Sequence, residues 1–481
     1  MVAAFLLAAY PLCAQIKTDG NTQTQVNING NVTNVTTSTV SGNNAYNSFS
    51  AFTVKSGSTA NLYLPNGTVN LLNLVNSQAA NIEGILNGIE GGKIGGNIFF
   101  ADPYGVIVGA SGVVNVGSFT ALTPTQDFMS QFFIAPGNPS PAATAALLNG
   151  TVPISPDGWI SIKGTINAVA GIGLYGGTVS NSGVIQSGAV FSGSNPDFSD
   201  VVNTNGLRNA SSIAVQNGNI VIQASGDFEN SGTIATNGAS NLNAGNVNVQ
   251  AGQNVKLDSG STVAANGEGS NSNGGNIQMV ATQNAAANAP AIVEANGGGA
   301  SGNGGSVEFS AKGTLTLDGG TFSAGATQGN AGKVSFDPTD LDLSGTITSG
   351  GADLNYSGDT ITVQPGTTIS SRNTASGANQ LTGASTGNSG NITFTATPST
   401  TPATETPTIT VGDGSEILAQ ATNGYTAGDV TFTATQTDEN AAASASAIIN
   451  IGNATIEGGN VSFSTTATGT ADSSKDGSTT N

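Results

Sequence analysis

Few side chains in this sequence could do chemistry, and they are scattered. There is no histidine, which removes the commonest general base and the commonest metal ligand. Carboxylates gather once, at Asp337, Asp340 and Asp342 in DPTDLDL. Asp340 and Asp342 alternate onto one strand face, where paired oxygens could hold calcium. The Gly-Gly-x-Gly-x-Asp nonapeptide of calcium-binding β-rolls is absent, so a polar outer face near a corner is the preferred reading. GIGLYG, Gly171 to Gly176, has the spacing of a dinucleotide fingerprint, but that motif needs a helix after it to hold a pyrophosphate. Here GTVSNSGVIQSG follows, which reads as strand and turn. A polysaccharide-cutting site needs converging carboxylates, often with Lys or Arg. The carboxylates are mostly solitary and no local cluster combines both. No catalytic, cofactor-binding or metal-ligating residue is assigned. A β-helical enzyme acting on polysaccharide stays an alternative, because distant segments could bring such groups together.

One stretch differs. FFADPYGVIVGASGVVNVGSFTALTP, Phe99 to Pro124, belongs to the most apolar run after the N-terminus and carries the turn Asp102-Pro103-Tyr104-Gly105 at its middle. From these residues alone the turn could be a catalytic loop, a ligand loop or an address that another protein reads. The question is what elements hold it.

Composition points to strands. Charged residues make up 8% of the 481, where a globular domain has roughly 25%. Helix surfaces use Glu, Lys, Arg and Gln, which are scarce. Val, Ile and Thr suit strands, and the 68 glycines, with many asparagines, suit corners that often need positive φ. The net charge is −19 and the ten Lys and Arg are scattered singly, so no basic patch exists to neutralise phosphates, and nucleic acid is excluded as a partner.

The opening MVAAFLLAAYPLCAQ reads as a secretory leader, residues 1–14, cut after Ala14. It lacks Lys or Arg before the apolar run, and Leu12 is a poor residue three back from the cut; a true start upstream of Met1 would explain both. The single cysteine, Cys13, lies inside this leader. The mature chain would then carry no disulfide, which suits passage through a narrow pore as an extended chain.

A phrase recurs along the second half. It reads GNIVIQASG from Gly218, GNVNVQAGQ from Gly245, GNIQMVATQ from Gly275, GSVEFSAKG from Gly305 and GKVSFDPTD from Gly332. It returns from Gly390, Gly428 and Gly459. The spacings are 27, 30, 30, 27, 58, 38 and 31 residues, the 58 being two turns with one degenerate copy. A second phrase lies between copies, as in VKLDSGSTVAANG from Val255 and ITVQPGTTISS from Ile361. Each period therefore holds about three short alternating strands, which predicts a right-handed parallel β-helix. A propeller blade usually needs about 40 or more residues. Inward Val, Ile, Leu and Phe would form the core, and outward Asn, Thr and Ser would form polar ladders.

The Pro-rich segment Leu122 to Trp159 breaks the pattern and predicts an irregular excursion on the solenoid's side. Within it Ser140 as N-cap, Pro141 at the first helical position and Gly150 past the end predict a short helix. Trp159 is expected to plug the side where the excursion returns. The last residues, 466–481, lack apolar alternation and are expected to be disordered, and no capping coil is evident before them, as in a fragment of a longer protein.

The N-terminal 200 residues resemble the secretion domain of the filamentous haemagglutinin family, exoproteins of two-partner secretion in Gram-negative bacteria. NSFSAFTV (Asn47 to Val54), SQAANIEGIL (Ser77 to Leu86) and the Phe99 to Pro124 segment carry the likeness, in order and at similar spacing. Where the family has Asn-Pro-Asn-Gly, this chain has Asp102-Pro103-Tyr104-Gly105. Asp102 can accept the same backbone bonds but cannot donate, and Tyr104 tolerates left-handed geometry poorly, so the turn type is expected to differ. The resemblance implies a division into a secretion domain at 15–200 and a β-helix repeat region at 201–465. It implies export through the periplasm and an outer-membrane barrel with periplasmic docking domains, then folding at the surface. It implies an adhesin binding a host or neighbouring-cell receptor or glycan. A haemolysin or toxin carrier with the same export domain is the alternative within the family. The residues expected to meet the secretion partner, or to shape the N-terminal end, are Asn47, Phe49, Phe52, Asp102, Pro103, Tyr104, Gly105 and Val106. Phe49 and Phe52 are three apart and cannot both face inward on one regular strand, so one of them is expected at a bend or on the docking surface.

Overall fold

The computed structural model describes residues 15–188, 218–238, 242–299, 301–374, 379, 381–399, 406–438 and 446–469. The predicted leader, residues 1–14, lies outside them. The chain divides into two compact units near residues 217–225. Both are parallel β-helical.

The first unit opens with antiparallel strands. Gln15–Thr18 lies against Asn44–Val54, and Thr24–Asn29 forms a hairpin with Val32–Thr37. From there the coils stack in parallel in three sheets, with short antiparallel hairpins such as Lys93–Ile94 on Ile85–Glu90 added at the side. In one, Asn44–Val54 is followed by Asn70–Val75, Asn97–Ala101, Val113–Leu122 and Thr165–Gly176. In the second, Ile82 pairs with Val108, which pairs with Ile162. In the third, Val32–Thr37 is followed by Thr59–Tyr63 and Ile85–Glu90. The core is a file of aromatic rings, with Phe49 and Phe52 at 5.2 Å, Phe52 and Phe100 at 5.0 Å, and Phe100 and Phe119 at 6.1 Å between centroids. Both Phe49 and Phe52 are fully buried. Of the two placements expected for one of them, a bend or the docking surface, the structure shows the bend. Asn44–Val54 is not a regular strand: its pairing with Lys17 and Thr18 skips Ser50, and it turns from one sheet to the next. The bend resets the alternation, so residues three apart both point inward.

The asparagines of this unit form a polar ladder that is buried rather than solvated. Asn61 donates to Asn34, Asn87 to Asn61, Asn115 to Asn87 and Asn167 to Asn115, at 2.9, 3.0, 3.0 and 2.9 Å. Asn61, Asn87 and Asn115 have no exposure at all. A buried amide survives because each copy supplies the acceptor for the next and the donor for the last.

The excursion forms as predicted. Helix α1, Gln126–Ser130, is capped by Thr125; helix α2, Pro141–Leu148, is capped by Ser140, with Gly150 at φ +67° beyond its end. Met129, Phe132, Leu147 and Val152 form one buried cluster with Tyr46, Leu72, Leu74, Phe99, Ala101 and Leu122. These last residues lie on the outer face of their sheet. Phe100 fills the core while Phe99 meets the excursion, so both faces of Asn97–Ala101 are buried, which accounts for the continuous apolar run.

In the second unit the repeats stack as expected, with three strands per coil. Val247–Ala251, Val255–Leu257 and Thr262–Ala264 pair in register with Asn276–Ala281, Ala285–Asn288 and Ile292–Glu294. The degenerate copy is Asp353–Gly358, which pairs with Lys333–Asp337 before it and Ile392–Ala396 after it. Aromatic rings from successive coils stack at 4.8 Å, Tyr356 on Phe394 and Phe394 on Phe432. The glycine that opens each repeat is not there for positive φ. A Cβ on Gly275 would strike the carbonyl oxygen of Gly245, and one on Gly305 that of Gly275. The backbones of stacked coils touch at this column. Residues 466–469, the expected start of the disordered tail, instead complete the strand Val461–Gly469, held by pairing with Val430–Asp438; residues 470–481 lie outside the described ones.

Candidate functional site

The Asp102 turn joins two sheets of the first unit. Phe100 and Val106 anchor it in the core on either side. The Asp102 backbone N–H donates to Leu122 O at 3.0 Å, and the Gly105 N–H closes the turn on Asp102 O at 3.2 Å. The carboxylate is fully buried. One oxygen accepts the Tyr104 N–H at 2.9 Å and the other accepts the Ala80 N–H, in the preceding coil, at 2.8 Å. Burial pushes its pKa up to about 7, against the pull of the backbone N–H groups of Tyr104, Ala80 and Gly105. Asp102 thus ties two coils together, with both carboxyl oxygens accepting backbone N–H groups.

Tyr104 carries no left-handed strain, since Asn423 is the one non-glycine residue with positive φ among those described. The unusual geometry falls on Gly105, at φ +137°. A Cβ there would strike the Trp159 carbonyl oxygen and sit 3.1 Å from the indole ring. Trp159 begins the next strand of this sheet, paired with Gly105. It remains 43% exposed; rather than plugging the side of the solenoid, it lies over the turn.

The structure does not gather the eight candidate residues into one surface. Asn47 is buried, donating to Asn73 at 2.9 Å and accepting from Thr24 at 2.9 Å. Phe49, Phe52, Asp102, Pro103, Gly105 and Val106 are buried as well, and Tyr104 alone is exposed, at 44%. The structure adds residues that local reading does not reach. Ala80 holds Asp102 from 22 positions upstream, and Tyr46 meets Thr144 of helix α2 at 3.2 Å between hydroxyls. The buried asparagine column left a signal, since its members recur 27, 26 and 28 residues apart.

The other motifs take ordinary places. GIGLYG ends the strand Thr165–Gly176, and another strand, Thr178–Asn181, follows. Asp340 and Asp342 accept from Thr360 at 2.6 Å and Gln364 at 2.7 Å in the next coil. No group of three or more Cys, His, Asp or Glu is placed to hold a metal among the described residues. Stacking does bring one distant carboxylate to a lysine: Lys256 lies 2.9 Å from Glu229 of the preceding coil and 2.8 Å from Asp258, two residues on. The hydrogen bond to Asp258 leads in raising the Lys256 pKa, and the same bond lowers that of Asp258. Each group is held in its charged form, opposite to the pKa matching that proton transfer at neutral pH requires.

The described chain is a parallel β-helix with an antiparallel N-terminal end, a buried asparagine column and a side excursion. The model of the TPS secretion domain family matches residues 14–279, and the chain belongs to that family. The fold is similar to the crystal structure of the HMW1 secretion domain from Haemophilus influenzae, with a TM-score of 0.50 and 15% identity over 94% of this chain and 99% of that one. No curated protein matches the sequence. The domain implies export across the outer membrane by a two-partner system, with a TpsB-type transporter as partner.

Proposed function

We propose that the chain is a non-enzymatic adhesin, delivered to the bacterial surface through its transporter, and that its N-terminal segments are read before they fold. The first unit then serves as address and folding nucleus, and the repeats present the binding surface to a host or neighbouring-cell receptor. The observation that carries this reading is the burial of Asn47, Phe49, Phe52, Asp102, Pro103, Gly105 and Val106. A docking domain can reach such side chains only in the extended chain. Once the coils form, Asp102 and Gly105 are committed to the turn, and folding outside draws the recognised segment away from the transporter.

The test is export with and without the candidate transporter, in the wild type and in an Asp102→Ala, Gly105→Val variant. Wild-type protein is expected in the medium or on the cell surface only with the partner. The variant is expected to stay in the periplasm, although the purified variant regains a β-rich circular dichroism spectrum. Export of the wild type without any partner overturns the reading. Normal export of the variant removes the turn from it.

A further inference from the structure

In the second unit, corner asparagines form columns along the coils, and one of these columns is interrupted. Asn243, Asn273 and Asn303 each accept, through the side-chain oxygen, the backbone N–H of the next member, the last being Asn330, at 2.9, 2.8 and 2.8 Å. At Asn330 the column stops. The next coil is the degenerate one, in which Lys333 pairs with Asp353, a step of 20 residues. It turns the corner on Gly350 and Gly351, at φ +60° and +97°, without a loop. The coil after it takes 38 residues from Leu354 to its partner Ile392, and there the column resumes, Asn388 accepting the Thr426 N–H at 3.0 Å.

The skipped loop leaves a groove of about 420 Å³, within the size range of small-molecule sites. One missing rung corresponds to a gap of roughly 5 Å beyond the normal spacing, close to the thickness of a single saturated six-membered ring. Gln328 and Asn330 line one side, Asn388 and Tyr425 the other, and Asn373 and Thr386 lie between them. The floor is fixed: Asn373 is 6% exposed, donates to Ala326 O at 3.1 Å and accepts from the Thr386 hydroxyl at 3.4 Å. Tyr425 is 44% exposed, on a turn where its N–H donates to Thr422 O at 3.2 Å beside the left-handed Asn423. The Gln328 amide and the Tyr425 hydroxyl have no hydrogen-bond partner among the described residues.

Among the described residues no side chain lining this groove is charged, although the chain carries a net −19. Without a cation, phosphates and carboxylates have nothing to neutralise them. Amides offer donors and acceptors together, and an exposed tyrosine offers a flat apolar face with a polar tip. A sugar ring matches both, with hydroxyls around its rim and C–H bonds on its faces. We propose that this groove binds a neutral saccharide, with Tyr425 as stacking platform and Gln328, Asn330 and Asn388 as hydroxyl partners. The proposal rests on the adhesin reading for its biological role and names the ligand class that reading leaves open.

The test applies the full chain, purified from the medium, to immobilised neutral oligosaccharides of glucose, galactose, mannose and N-acetylglucosamine. Saturable retention is expected on at least one. Tyr425→Ala is expected to weaken it about tenfold or more, the scale of a lost aromatic contact with its buried area. Gln328→Ala should weaken it less, Tyr425→Phe should preserve most of it, and Lys256→Ala, outside the groove, should leave it unchanged. Retention on none of these sugars, or retention that Tyr425→Ala leaves intact, overturns the proposal. Partner-dependent export is scored separately on the wild type, so the two readings fail independently.

Discussion

Asp102 is a carboxyl group held beneath its own turn, with two backbone N–H groups on its oxygens and no ion pair among the described residues. An unfolded aspartate titrates near ~3.9, whereas burial moves the folded group up to about 7. Between these values the native state keeps a proton that the unfolded state has released, so stability falls as pH rises through the window. Below it both states are protonated and the full stability is present. Above it both are ionised and the loss, on the order of a few kcal/mol, is complete. Asp102→Asn isolates this contribution. Its amide can accept one of the two N–H groups but must turn an NH₂ toward the other, costing about 1–3 kcal/mol at low pH. The deficit relative to wild type should shrink as pH rises from 4 to 7, because only the wild type ionises. Urea unfolding followed through Trp159, the single tryptophan and a neighbour of Gly105, reads the difference. A deficit constant across that range would show that Asp102 does not titrate there.

Among the elements, asparagine does two jobs that differ in energetics. In the first unit Asn87 is buried, donating to Asn61 and accepting from Asn115. In the second unit Asn246 sits at an exposed corner, where its side chain accepts the Asn276 N–H at 2.9 Å. Asn87→Ala strands a buried acceptor and a buried donor and should cost about 3 kcal/mol or more. Asn246→Ala leaves an N–H that water can reach and should cost about 1 kcal/mol or less. Paired denaturation curves check the contrast, and equal losses would place the two columns in equivalent environments. The contrast also shows what sequence could reveal. The repeat with its three strands was legible because type and spacing recur together from Gly218 to Gly332. So was helix α2, whose start at Ser140 and Pro141 and end at Gly150 are written locally. The burial of the asparagine column was not legible, because alternation marks two faces without saying whether the polar one is covered. Phe99 and Phe100 hide the same ambiguity, since the excursion covers the face that solvent would otherwise meet. The repeat glycines could be seen, but their cause could not. It is the approach of the preceding backbone, as Gly275 meets Gly245, and no local rule contains it. For the candidate site, the turn was legible and the burial of its residues was not, because Ala80, Leu122 and Trp159 close over it from other coils.

At the scale of the whole molecule, stacked coils give most contacts to nearest neighbours, so a chain leaving a pore can fold as it emerges. This holds only if the chain is extended in transit, and a cross-link between coils makes it testable. The single cysteine falls in the predicted leader, so an introduced pair has no competitor after cleavage. Thr362 and Thr410 are register partners in adjacent parallel strands, and neighbouring strands lie about 4.8 Å apart, within the Cα range of a disulfide. The folded coils thus accommodate the bond in a Thr362→Cys, Thr410→Cys variant, and the oxidising periplasm should also couple the two thiols in the unfolded chain, closing a loop. Threading then requires two strands of chain in the pore at once. Export of the double variant should fall well below that of either single variant and should recover when dithiothreitol is added to the culture. Protein that reaches the medium under reducing conditions should form the bond afterwards, because folding brings the two positions together. Unimpaired export with the bond already formed in the periplasm would mean that folded coils pass the outer membrane, and the burial of Asp102 and its neighbours would then no longer argue for recognition of an extended chain.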